Sequence, residues 1–74
     1  MATEYLVVRF SKKRSVLVNG EMMGMTNTKL ELEGGAYEIT LGPPQDFQPA
    51  LKSIDLTGTS SLDPMTVTFK KIRS

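Results

Sequence analysis

Six basic residues offer this chain its plainest chemistry. Lys12-Lys13-Arg14 near the start and Lys70, Lys71 and Arg73 near the end are the types that bind phosphate oxygens, lysine as a compact charge and arginine as a fork. If the turn carrying the first three and the C-terminal end lie on one side of the fold, they make an anion-binding patch. The simpler reading is that they solubilise the chain and keep strand edges from pairing. Among the acids, Glu31, Glu33 and Glu38 fall on the outward faces of two strands. A pair of carboxylates so placed is the equipment of a glycosidase, although solvated acids on a wet strand face are the ordinary case. Asp46, Asp55 and Asp63 lack the spacing of a calcium loop, and no Gly-Lys-Ser/Thr step follows any glycine, which excludes a phosphate loop. Histidine and cysteine are both absent. That removes the Ser-His and Cys-His nucleophile pairs, the usual zinc ligands and any disulfide. The expectation is a chain that is not an enzyme and carries no metal or cofactor.

The charge balance does not redirect this. Nine Lys and Arg against eight Asp and Glu leave a formal charge of +1, too little to steer nucleic acid or an anionic membrane, so any basic function must be local. The first ten residues place an acid where a signal peptide needs a basic segment, and no run approaches the roughly 20 apolar residues of a membrane span. As the sequence stands this reads as cytoplasmic; a chain processed from a longer one reads as surface-associated. The 74 residues, 1–74, make one domain. A domain of this size buries only about 60% of its unfolded surface, and its total stability is roughly 4 to 11 kcal/mol.

The elements that must position these groups are strands. Glu4 to Phe10 alternates Leu6, Val8 and Phe10 on one face with Tyr5, Val7 and Arg9 on the other. Apolar residues on both faces mean a central strand covered on both sides, or Tyr5 and Val7 facing a partner chain. Ser11 to Arg14 is a charged turn, and Ser15 to Val18 the returning strand. Asn19-Gly20 is the strongest short hairpin signal, since both central residues must take positive φ. Glu21 to Met25 then forms an edge-like segment with a glycine that permits a bulge. Its Met22, Met23 and Met25 fill gaps in the core or offer an adaptable contact surface.

Leu30 and Leu32 alternate with Lys29, Glu31 and Glu33; after Gly34-Gly35, Tyr37, Ile39 and Leu41 alternate with Glu38 and Thr40. So short a connection predicts antiparallel neighbours. Gly42 to Pro49 holds three of the four prolines and is a loop, pinned to the core by Phe47. Lys52 to Thr57 and Met65 to Lys70 supply the last strands, with Ile54, Leu56, Met65, Val67 and Phe69 inward. With Phe10, Tyr37 and Phe69 turned inward, no aromatic platform for stacking bases is visible. No window has helical periodicity. The rhythm predicts an all-β fold, a small two-layer antiparallel β-sandwich of about six to seven strands.

The stretch from Val18 to Ile39 resembles a PEGA domain. Asn19, Gly20, Gly24, Thr26, Leu30, Leu32, Gly35, Ala36 and Tyr37 match that family's pattern of glycine turns, alternating strand and aromatic opening. The chain departs from it with Asn27 where a proline usually stands, Glu33-Gly34 in place of Pro-Glu, and Asp46-Phe47 in place of a Gly-aromatic pair. The resemblance implies an immunoglobulin-like or carboxypeptidase regulatory-like β-sandwich, used as a non-catalytic accessory module in bacterial or archaeal surface-associated proteins. It brings no catalytic residue and no cofactor.

Two functions follow. The first is a non-catalytic protein-interaction or structural accessory module with a protein partner, self or another chain. It works through a strand edge or an apolar surface of Tyr5, Val7, Leu17, Met22, Met23 and Met25. The alternative is a small β-barrel binding nucleic acid or another polyanion through Lys12, Lys13, Arg14, Lys70, Lys71 and Arg73.

Overall fold

A computed structural model describes residues 3–72. The expectation for Arg73 lies outside them. All regular structure among these residues is β: β1 (Thr3–Arg9), β2 (Ser15–Val18), β3 (Glu21–Met25), β4 (Lys29–Glu33), β5 (Gly35–Leu41), β6 (Phe47–Gln48), β7 (Lys52–Leu56), β8 (Met65–Thr68) and β9 (Lys70–Lys71). They form a three-stranded sheet in the order β4-β1-β8, a four-stranded sheet in the order β3-β2-β5-β7, and the short ribbon β6-β9. The first sheet presents Leu6, Val8, Leu30, Leu32 and Val67 to Val16, Val18, Ile39, Leu41 and Leu56 of the second in one core. Alternation dictates this, because each half-apolar strand needs an opposing face. Both larger sheets are open, with β4 and β8 at the edges of one and β3 and β7 at the edges of the other. The fold is therefore a sandwich and not the closed barrel of the alternative reading.

Three connections differ from the sequence reading. Glu33 and Gly35 are joined through Gly34 alone, yet β4 pairs with β1 while β5 pairs with β2 and β7. The two strands are not neighbours: the chain turns a corner from one sheet to the other. A side chain at Gly34 would lie 3.4 Å from the Glu4 stem and the Leu56 carbonyl, in ordinary contact with both, so the corner sits against β1 and β7. Ser11 to Arg14 likewise crosses between sheets and is not a hairpin turn, since β1 and β2 do not pair. Finally, β1 and β8 run parallel, with Leu6 opposite Met65 and Val8 opposite Val67, whereas the other strand pairings are antiparallel.

The hairpin is as the residues demand. Asn19 and Gly20 both take positive φ, 51° and 86°, closing β2 onto β3. The register shifts opposite Val16 and Leu17, leaving Met23 as the extra residue of a bulge. Asn27 accounts for one departure from the PEGA pattern. Its φ is 63°, its N–H donates 2.7 Å to the Val8 carbonyl, and its side-chain amide both donates to and accepts from the Phe10 backbone. Proline, fixed near −65° and lacking the N–H, could not do this. Phe47 anchors the proline-rich loop as expected, buried edge-on to Phe10 and Phe69 with centroids 6.2 and 5.6 Å away.

Candidate functional site

The two ends of the sandwich and one of its sides carry the polar chemistry. At the end where β1 begins, Glu4 falls in step with Leu6 and Val8 and is therefore buried, only 7% exposed. Its Oε1 accepts 2.8 Å from the Thr59 N–H and 2.6 Å from the Thr59 hydroxyl, which in turn accepts 2.7 Å from the Tyr5 N–H. These bonds favour the carboxylate and hold Glu4 below the usual range, against the opposing pull of desolvation. Lys29 reinforces the same loop, donating to the Ser61 carbonyl and hydroxyl while lying 5.5 Å from the Tyr5 ring centroid.

At the opposite end, Arg14 is a latch for the proline-rich loop. Its guanidinium donates 2.8 and 3.3 Å to the two oxygens of Asp46 and 3.0 Å to the Pro44 carbonyl, and stacks 5.2 Å from the Phe10 ring centroid. The pair pushes Asp46 down and Arg14 up, mainly through these hydrogen bonds. Thr26, 1% exposed, fixes the approach: its hydroxyl donates 2.7 Å to the Lys12 carbonyl and accepts 2.8 Å from the Arg14 N–H.

The six-residue basic set is thereby divided. Lys12 and Lys71 come together, so that Lys71 sits below the usual lysine range chiefly because of the neighbouring Lys12 ammonium. Arg14 is committed to Asp46. Lys70, alternating with Lys71, lines a separate hollow of about 430 Å³ with Gln48, Pro49 and Thr68. Lys13 is exposed.

The expected apolar surface is divided too. Tyr5 and Val7 are half-buried on the outer face of the first sheet, while Leu17 stands opposite Met22 on the outer face of the second. Met25 pairs with Ser15 further along that strand. Met22 and Met23 are 58% and 47% exposed on the edge strand β3. Because β3 and β4 are edges of opposite sheets on the same side of the sandwich, a groove of about 330 Å³ opens between them. Val18, Met23, Leu32 and Tyr37 give it an apolar lining, and Glu21, Glu31 and Glu33 add three acids. The Tyr37 hydroxyl donates 2.6 Å to the Glu33 carbonyl and holds the ring in place.

Glu38 does not join those acids. It lies on β5, on the outer face of the second sheet, so the Glu31, Glu33 and Glu38 grouping is broken by the corner at Gly34. Among the described residues no cluster of three or more Asp, Glu, His or Cys could hold a metal ion, and no helix is long and apolar enough to cross a membrane. The buried acid Glu4 is not among the residues expected to carry chemistry, although its parity with Leu6, Val8 and Phe10 marks it. Compared with family models, curated proteins and solved structures, the chain matches none.

Proposed function

We propose that this chain is a non-catalytic interaction module that recruits an extended segment of another protein by adding it as a strand beside β3. The free edge of β3 next to the β3–β4 groove carries the reading. Unpaired strand edges template pairing, and proteins block the ones they do not use with charge. The edge strands β4 and β7 hold Lys29, Glu31 and Glu33, and Lys52 and Asp55; β8 is also uncharged, but β3, charged only at Glu21, offers the exposed Met22 and Met23 beside the groove. Methionine adapts to varied side chains.

Charge complementarity selects the partner. Glu21, Glu31 and Glu33 favour a segment with alternating basic residues and disfavour a second copy, which would bring the same acids. The absence of histidine and cysteine and the resemblance to PEGA accessory modules both favour a role without catalysis.

The test is a titration followed by amide NMR with a peptide of about ten residues alternating Lys and Val, against the same peptide with Glu for Lys. The expected result is perturbation of Glu21 to Met25, Leu32 and Tyr37, slowed exchange of β3 amides, and a weaker response to the acidic peptide. Met23→Lys abolishes it. Equal responses to both peptides, or concentration-dependent dimers in sedimentation with no peptide binding, overturn the reading.

A further inference from the structure

We infer that the hollow lined by Gln48, Pro49, Thr68 and Lys70 binds a small organic monocarboxylate, a molecule that joins one carboxylate to a compact apolar body. The hollow shares no lining residue with the β3–β4 groove and does not depend on it. Its volume of about 430 Å³ falls within the roughly 300 to 1,000 Å³ of pockets that hold small organic molecules.

The backbone brings the four lining residues together. In the β6–β9 ribbon Gln48 stands directly opposite Lys70, so their side chains leave the same face as cross-strand neighbours. Thr68, at the end of β8, is held by its pairing with Arg9, and the Phe69 N–H donates 2.9 Å to the Arg9 carbonyl. Phe47 and Phe69, which alternate with Gln48, Thr68 and Lys70, turn inward and are buried, which commits those three to the outside. The residue after Pro49 is fixed as well, because the Ala50 carbonyl accepts 2.7 Å from the Thr40 hydroxyl. At the far end of the ribbon the Ile72 N–H donates 2.8 Å to the Asp46 carbonyl. None of these contacts uses a side chain that lines the hollow.

The lining selects the ligand. Among the described residues around the hollow Lys70 alone is charged, an ammonium with three donors and no acceptor, and it takes part in no ion pair among them. The Gln48 amide and the Thr68 hydroxyl add further donors. A carboxylate carries one charge and only accepts, which matches this set; a doubly charged anion leaves one charge unbalanced, and a cation is repelled. The rest of the wall is apolar, from the Pro49 ring, the Thr68 methyl and the methylene stem of Lys70. That wall suits a hydrocarbon body, which an inorganic anion lacks.

Amide and side-chain NMR tests this by titration with 3-phenylpropionate, 3-phenylpropanol and acetate at constant ionic strength. 3-Phenylpropionate should move the signals of Gln48, Thr68 and Lys70 along one saturable curve and leave those of Glu21 to Met25 in place. The alcohol lacks the charge and acetate lacks the body, so each should bind at least about tenfold more weakly. Lys70→Met keeps an apolar stem and removes the ammonium. It should weaken 3-phenylpropionate at least about tenfold while leaving the alcohol response and the folded spectrum unchanged. No saturable shift, an equal response to the acid and the alcohol, shifts confined to β3, or full binding by Lys70→Met overturns the inference.

Discussion

Glu4 at one end of the sandwich and Lys71 at the other are both ionisable groups on strands, and they are treated in opposite ways. Glu4 is buried and its charge is met by two donors from Thr59, so its pKa moves in the direction that favours the ion. Lys71 is exposed and its charge is met by another cation, so its pKa moves in the direction that disfavours the ion. A satisfied charge staples the fold, here closing the loop after β7 onto β1. An opposed charge does nothing for the fold. Arg14 and Asp46, beside Lys71, belong to the first kind.

The largest disturbance of this contrast comes from Thr26→Val. The substitution keeps the shape and strips the hydroxyl from the Lys12 carbonyl and the Arg14 N–H, leaving both unsatisfied under the surface. The expected loss is about 1 to 3 kcal/mol, read as a lower urea midpoint with unchanged slope. Because the Lys12 backbone then loses its anchor, the depression of the Lys71 pKa that Lys12 causes should also lessen. An unchanged Lys71 would show that the two lysines approach without that anchor.

Acid titration examines the stapled end. The folded Glu4 binds its proton less readily than the unfolded chain does, so its contribution is complete above the ordinary glutamate range and is lost as pH falls through the depressed folded value. Asp46 behaves the same way. Thermal melts across the acid range should therefore show falling stability, and Glu4→Gln should be less stable than the parent at neutral pH with a shallower acid slope. An identical slope in that variant would place the acid sensitivity at Asp46.

How much of this was legible depended on distance along the chain. The Asn19-Gly20 hairpin, the alternating strands and the Phe47 anchor follow from neighbouring residues, and the structure has them. The Gly34 corner is not legible, because a one-residue link between two alternating runs looks the same whether the second strand pairs with the first or passes to the opposite sheet. What decides is the long-range pairing of β1 with β4 and of β5 with β2 and β7. Glu4 was legible by parity. The Arg14–Asp46 latch, 32 residues apart, was not, and neither was the parallel pairing of β1 with β8. The basic set illustrates both limits: composition shows that the charges exist, and only the ribbon β6-β9 decides that Lys71 stands opposite Phe47 while Lys70 lines the hollow beside Gln48 and Pro49.

Smaller effects distinguish surfaces that act from surfaces that hold. Met23→Lys changes an exposed side chain at the bulge, so stability should stay within about 0.5 kcal/mol while strand addition at β3 is lost. A large stability loss would mean that the bulge is part of the core.

The smallest effect belongs to the opposed lysines, and its sign is the informative part. Lys71 binds its proton less tightly in the folded chain than in the unfolded one. Between the depressed folded value and the ordinary lysine value the unfolded chain holds more protons, so stability should rise as pH rises through that window. This is the reverse of the acid limb set by Glu4 and Asp46, where protonation removes an attraction; here deprotonation removes a repulsion. Lys12→Met removes the largest cause of the depression, and its stability should be slightly higher at neutral pH and flatter through the alkaline window. An unchanged profile in Lys12→Met would assign the depression to Arg14 and to burial instead.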